Sequence, residues 1–289
     1  MLNRREAGLG LGAAFFFGQA ANAATVADLD RAMAAIERES GGRLGVAWFD
    51  SGGGRQFAWR GDERFPMCSS FKLLLVAAVL EQVDRKAERL DRNIAIRQAD
   101  MVSHAPVTGA HIGGELSVAA LCEATLTLSD NPAANLLLER LGGPAGLTAF
   151  VRRHGDRITR LDRNEPLLNE ALVGDMRDTT SPRAMVQTMR RLLLGTILSV
   201  ASRDMLTTWI IANRTGDEQI RAGLPSGWRV GDKTGAGANG TNNDIAIIWP
   251  AGGSPWLLSI YLTGAKVDLA ARKAAVASVA RLIAHPPRS

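Results

Sequence analysis

The sequence predicts an α+β fold: a five-stranded antiparallel sheet flanked by helices, with an all-helical domain inserted between its strands. Three observations predict it. Strand-like runs lie only toward the two ends of the chain, at 44–49 and 56–59 and again at 228–234, 244–249 and 256–262. The long stretch between them reads with helical periodicity. Strands that follow one another usually pair as neighbours, which makes the sheet antiparallel. A chain of 289 residues, 46% of them hydrophobic, can bury a core large enough for such a body. The expected division is an export signal at 1–23, a sheet domain from 24–60 and 214–289, and a helical domain from 61–213. A cleft is expected between the two domains, where ligand sites are common.

The elements follow in order. Arg4 and Arg5 precede a short apolar stretch at 7–17 and the A-x-A cleavage pattern Ala21-Asn22-Ala23, which reads as a signal peptide for a periplasmic or secreted protein. That stretch is too short to span a bilayer, so no membrane contact is expected once it is removed. Asn3-Arg4-Arg5 also raises a twin-arginine route. Residues 26–38 read as an amphipathic helix closed by Gly41-Gly42, and Asp50-Ser51-Gly52-Gly53-Gly54 as the turn of a hairpin. From 69 to 85 the pattern is helical, and 73–80 is apolar on every face, which marks a helix buried at the centre of a domain. Helices are expected at 116–128 and 133–141, split by Ser129-Asp130-Asn131-Pro132. Residues 160–178 show little regular pattern. Thr180-Ser181-Pro182 is an N-cap with Pro in the first turn, opening a helix that ends at Gly195. Helices at 202–212 and 269–284 complete the set.

Composition excludes several classes. The net charge is +5, but the arginines are scattered, aromatics make up 5% and Tyr occurs once, which argues against nucleic acid and for a field that attracts small anions. The four histidines show no metal-ligand spacing with each other or with cysteine, so no metal is expected. Cys68 and Cys122 belong to no clustered framework; two buried free thiols suit them at least as well as a disulfide. The G-x-G-x-x-G match at 235–240 runs into a strand where a dinucleotide fingerprint needs a helix, and no G-x-S-x-G elbow occurs.

Four short motifs carry chemistry. Ser69 and Lys72 are three apart at the start of the buried helix, on one face. Serine becomes a nucleophile when a neighbouring base takes its proton, and a lysine does so when burial or another cation lowers its pKa. In Ser129-Asp130-Asn131, Ser129 can pass a proton to a leaving group, Asn131 can donate to a substrate carbonyl, and Asp130 braces the turn. Glu165-Pro166-Leu167-Leu168-Asn169 lies in the patternless 160–178 stretch, whose ends Arg163 and Asp178 can bridge. With Pro166 holding Glu165 extended, Glu165 and Asn169 can position a water as general base. Lys233-Thr234-Gly235 ends a strand, where a cation beside a hydroxyl suits a substrate carboxylate and Gly235 permits close backbone approach. The N–H groups of Ser69 and Ala236 can then form an oxyanion hole. Each motif alone has a plain reading, as a helix start, an interhelix turn, a solvated glutamate or a strand end.

In order, Ser69-x-x-Lys72, Ser129-Asp130-Asn131, Glu165-Pro166-x-Leu168-Asn169 and Lys233-Thr234-Gly235 resemble the class A serine β-lactamases. The resemblance runs along nearly the whole chain after the signal, including Phe65-Pro66-Met67-Cys68 and Ser103-His104-Ala105-Pro106-Val107-Thr108. It implies the serine β-lactamase/penicillin-binding fold and hydrolysis of β-lactam rings through a serine acyl-enzyme, by a monomer without cofactor acting on a small-molecule β-lactam. It implies a nucleophile at Ser69, an acylation base at Lys72 or at Glu165 through water, and deacylation by a water held by Glu165 and Asn169. Ser129 would shuttle a proton to the ring nitrogen, Lys233 and Thr234 would bind the carboxylate, and His104 falls where the family often places an aromatic at the cleft mouth. Many members carry an arginine where this sequence has Asn242, and Lys273 or Arg272 are the candidate replacements. No cysteine stands at Gly237 to pair with Cys68. A penicillin-binding D-alanyl-D-alanine peptidase shares the Ser-x-x-Lys and Lys-Thr-Gly elements, and Glu165 and Asn169 speak against it; a non-hydrolysing β-lactam sensor would need a membrane anchor, and none is expected beyond the cleavable signal.

Overall fold

The computed structural model describes residues 26–285, so the expected export signal lies outside the described residues. Helix α1 (Val26–Ser40) leads into the antiparallel hairpin β1 (Arg43–Asp50) and β2 (Gln56–Trp59), and a two-residue strand β3 (Phe65–Pro66) follows. Then come α2 (Phe71–Asp84), the small pair β4 (Asn93–Ala95) and β5 (Glu115–Ser117), α3 (Val118–Thr127), α4 (Asn131–Arg140) and α5 (Gly143–Arg153). Strand β6 (Thr179–Thr180) pairs with β3; α6 (Pro182–Leu193), α7 (Val200–Ile211) and the single turn α8 (Ile220–Gly223) lead back to the sheet. Strands β7 (Arg229–Gly237), β8 (Thr241–Trp249) and β9 (Trp256–Thr263) complete it, and α9 (Leu269–Ala284) closes the described chain.

The main sheet has five strands in the order β2-β1-β9-β8-β7, and every pairing in it is antiparallel, as expected. Its two faces alternate with period two. Ala246, Ile248, Leu258, Ile260 and Leu262 enter one core with α1 and α9, while Ile245, Ile247, Leu257 and Tyr261 enter a second with α2 and α6. Strand β8 is buried on both faces because helices cover both. Helix α2 is the centre of the second core: Leu73, Leu74, Leu75, Val76 and Leu80 are fully buried. Burying each such side chain stabilises the fold by roughly 1.5–3 kcal/mol. Its apolar run on all faces was legible because a helix surrounded by other helices has no wet side.

Several boundaries differ from expectation. The α-helix expected from 69 begins at Phe71; Cys68–Ser70 form a 3-10 turn entered through a left-handed Cys68 with φ of 45°. Residues 115–117, expected in part as helix, pair with β4, and Ser117 caps α3 through its hydroxyl. Helix α5 was not expected; Gly142, at φ of 86°, turns the chain, and the proline behind it opens a new helix. The cap at Ser181 with Pro182 behind it is present as read. Cys68 and Cys122 are buried free thiols, and burial pushes both well above the ordinary thiol range. Among the described residues no helix is long and apolar enough to cross a membrane.

Candidate active site

Ser69 lies on the 3-10 turn and Lys72 on the first turn of α2, so the short connection fixes them on adjacent levels. Lys72 is 0% exposed. Its Nζ donates to Ser129 O at 2.8 Å, Asn131 Oδ1 at 2.6 Å and Ser129 Oγ at 3.2 Å, and lies 3.0 Å from Glu165 Oε1. An ammonium has three hydrogens, and four oxygens compete for them. Burial pushes this amine below the usual lysine range, opposed by the Glu165 charge.

The Ser129-Asp130-Asn131 turn is held by its aspartate. Buried Asp130 accepts from Val107 N at 2.9 Å, Thr108 N at 3.0 Å and Thr108 Oγ1 at 2.8 Å, and from Ala133 N at 2.9 Å as the cap of α4. These four bonds brace the loop. Asn131 donates from its amide nitrogen to Ser103 O at 2.8 Å and from its backbone to His104 O at 3.0 Å. His104 is exposed, and its Nε2 lies 2.9 Å from Leu128 O, so the segment carrying it is stitched to the turn.

The 160–178 loop is closed as expected: Arg163 Nε lies 2.6 Å from Asp178 Oδ2, while Asp178 Oδ1 accepts from Asp162 N and Arg163 N. Glu165 is 3% exposed. Its Oε1 accepts from Ser69 Oγ at 3.0 Å and its Oε2 from Asn169 Nδ2 at 2.5 Å. Sequence reasoning credited Pro166 with placing this glutamate; the Glu165–Pro166 peptide is cis, and Asn135 does more. Asn135 donates to Glu165 O and accepts from Glu165 N, both at 2.9 Å, gripping the backbone from α4. Asn135 escaped the sequence reading, although it stands one helical turn after Asn131, on the same face.

Strand β7 supplies the remaining wall. Lys233 is fully buried and donates to Ser129 Oγ at 3.1 Å and Thr234 O at 2.9 Å. Burial, and next the Lys72 charge, lower its pKa to about 7. Thr215, also missed, gives its one proton to Asn213 Oδ1 at 2.8 Å, so in its 2.6 Å contact with Thr234 the threonine of β7 is the donor. A Cβ on Gly235 would sit 2.7 Å from Met67 O and 3.2 Å from Ser69 N, which is why a glycine lets the strand close on the nucleophile turn. Exposed Ala236 follows it. Asn242 is buried and donates to Gln219 Oε1 at 2.7 Å, while Lys273 pairs with Glu218 at 2.6 Å and Arg272 donates to the backbone oxygens of Asp268 and Thr241.

Four segments thus meet around one hydroxyl. The family model described as "Beta-lactamase enzyme family" matches residues 28–285. The chain belongs to this family. It is 48% identical over 266 residues to "Beta-lactamase L2" of Stenotrophomonas maltophilia, covering 91% of this chain and 88% of that protein. It is 46% identical over 256 residues to "Beta-lactamase CTX-M-8" of Citrobacter amalonaticus, covering 89% and 88%. Among solved structures, "Ancestral (GNCA) Beta-lactamase class A" superposes with a TM-score of 0.87 at 60% identity over 88% of this chain and 98% of that one. A beta lactamase from Xanthomonas campestris gives a TM-score of 0.87 at 55% identity, over 88% and 96%. The class A resemblance read from the motifs therefore extends over about nine tenths of the chain.

Proposed function

We propose that this protein hydrolyses the β-lactam ring of antibiotics through a Ser69 acyl-enzyme, and so confers β-lactam resistance. The observation that carries the reading is the hydrogen bond from Ser69 Oγ to a buried Glu165 that also accepts from Asn169. In acylation, Ser69 Oγ attacks the lactam carbonyl and gives its proton to Glu165. The 3.0 Å contact favours this base, because the hydrogens of Lys72 are committed to Ser129, Asn131 and Glu165. The N–H groups of Ser69 and Ala236 take the developing oxyanion. The carbon–nitrogen bond breaks as the ring nitrogen receives the Ser129 proton, which Lys72 at 3.2 Å or Lys233 at 3.1 Å replaces. Lys233 pairs with the substrate carboxylate and the Thr234 hydroxyl turns from Thr215 to donate to it, Asn131 donates its second amide hydrogen to a substrate carbonyl, and His104 borders the cleft.

In deacylation, Glu165 first returns the Ser69 proton to the lysines through Lys72, 3.0 Å away; it then takes a proton from a water that attacks the ester carbonyl, and passes it to Ser69 Oγ as the ester bond breaks. Asn169 Oδ1 is buried without a partner among the described residues, which suits it to accept from that water. A peptidase or sensor has no need of such a carboxylate. The test is Glu165→Ala incubated with benzylpenicillin: mass spectrometry should find a stable covalent adduct on Ser69 while turnover is lost. Turnover at the native rate would refute the assignment. The division into 24–60 with 214–289 and 61–213, a monomeric state, absence of nucleic-acid and cofactor partners, and periplasmic or secreted location after removal of 1–23 belong to the same proposal.

A further inference from the structure

A cavity of about 350 Å³ lies under the outer limb of the 160–178 loop, and none of Ser69, Lys72, Glu165 or Lys233 lines it. Its volume is in the range of small-molecule sites. Arg64, Pro66, Leu172, Val173 and Met176 form much of the wall, with Arg43 from the start of β1. Leu172 is 51% exposed, Val173 95% and Met176 51%, a cluster of apolar side chains on the lip that no described segment covers.

The charges in the wall are unequal. Arg43 pairs with Glu63 at 3.0 Å and stacks over Phe65; Asp175 is held by Arg177 at 2.8 Å and faces Arg163 at 3.6 Å. Arg64 is half-buried and its Nη1 donates to Ile158 O at 2.8 Å and Thr179 Oγ1 at 3.0 Å, but no carboxylate lies within ion-pair distance among the described residues. Burial and the nearby Arg160 and Arg152 disfavour its charge, with Asp156 and Asp162 only partly opposing them. A guanidinium placed so gains most from an added anion.

The geometry points to a second ligand site here, for a small amphiphilic monocarboxylate whose carboxylate pairs with Arg64 and whose apolar body rests on Pro66, Leu172, Val173 and Met176. The limb that would cover the ligand continues from Asn169, whose carbonyl accepts from Ala238 N at 2.9 Å. Occupancy therefore steadies the loop that carries Glu165.

The probe is octanoate, titrated calorimetrically into the Glu165→Ala protein after Ser69 has been acylated, so that the substrate carboxylate site is filled. Binding should persist there, weaken about tenfold or more in Arg64→Met, and weaken again in Val173→Glu, which adds a like charge at an exposed lip. n-Octylamine, with the same apolar body and opposite charge, should bind the unaltered site at least about tenfold more weakly, a comparison that needs no variant. Equal affinity for octanoate and octylamine, binding lost on acylation, or no binding at about 10 mM octanoate would each overturn the site.

Discussion

Two lysines and one glutamate share the space around Ser69, and burial sets what each can do. A lysine amine in water keeps its proton to about pH 10.4. Lys233, with no exposed surface and Lys72 nearby, is lowered to about 7. The sign of the consequence is fixed: the ammonium is present below that pKa and lost as pH rises through it. If Lys233 binds the substrate carboxylate, kcat/KM for an anionic penicillin falls as pH rises past about 7, mainly through KM. Lys233→Arg, whose guanidinium stays charged, should remove that limb from the pH profile. A limb unchanged in the arginine variant would assign it to another group. Ser69→Ala should lower kcat by about four to six orders of magnitude, as loss of a nucleophile does elsewhere, and stopped assays with purified protein would read it. Both residues were legible in the sequence because their types and spacing are rare in combination. Thr215 was not, since nothing local connects it to Thr234, 19 residues on, until β7 brings their hydroxyls to 2.6 Å.

At the scale of elements, the proposed mechanism makes hydrolysis, rather than mere acylation, depend on the 160–178 loop. It contains only one 3-10 turn, Leu167–Asn169, so its shape comes from side-chain clamps instead of a ladder. Asp178 and Arg163 close its base, Asn239 Nδ2 binds Glu170 O at 2.9 Å, and Asn135 holds both polar groups of the Glu165 backbone. Asn135→Ala leaves those two groups unsatisfied at about 1–3 kcal/mol each. The expected outcome is slower deacylation with near-normal acylation, seen as a burst of product on rapid mixing, together with a lower melting temperature. A variant with lowered stability but unchanged partition between the two steps would reduce Asn135 to a structural prop. The clamp was hidden because its partners are 30 residues apart. Regular elements fared better: α9 and β2 appear with the expected bounds, since periodicity and flanking turns both mark them. The start of α2 moved because the close approach of Gly235 to Met67 and Ser69 is a tertiary constraint. Helix α8, of four residues, is too short to show a period.

For the whole molecule, the question is whether the helical part and the sheet melt together. The larger core runs without a break from α2, α3 and α4 to Ala47, Ile245, Leu257 and Tyr261 on one face of the sheet, whereas the second core is confined to the sheet and α1, α8 and α9. Shared packing across the boundary couples the two parts more tightly than a linker would. Leu75→Ala, in the middle of fully buried α2, should cost about 2–5 kcal/mol by lost transfer energy and the cavity left behind. At roughly 2–4 °C per kcal/mol for chains of 150–250 residues, the melting point should fall by several degrees, somewhat less in a chain of this size. Coupling predicts how it falls. Far-UV circular dichroism follows mainly the helices, while tryptophan fluorescence follows mainly the sheet, because Trp48, Trp59, Trp249 and Trp256 lie on its strands and Trp228 packs on Trp256 at 5.1 Å. If one core joins both parts, the two signals shift by the same amount and remain superimposable in Leu75→Ala. If instead the fluorescence transition keeps its wild-type midpoint while the circular dichroism transition drops, the sheet folds on its own, and the helical wall beside Ser69 unfolds while the β7 wall that carries Lys233 stands.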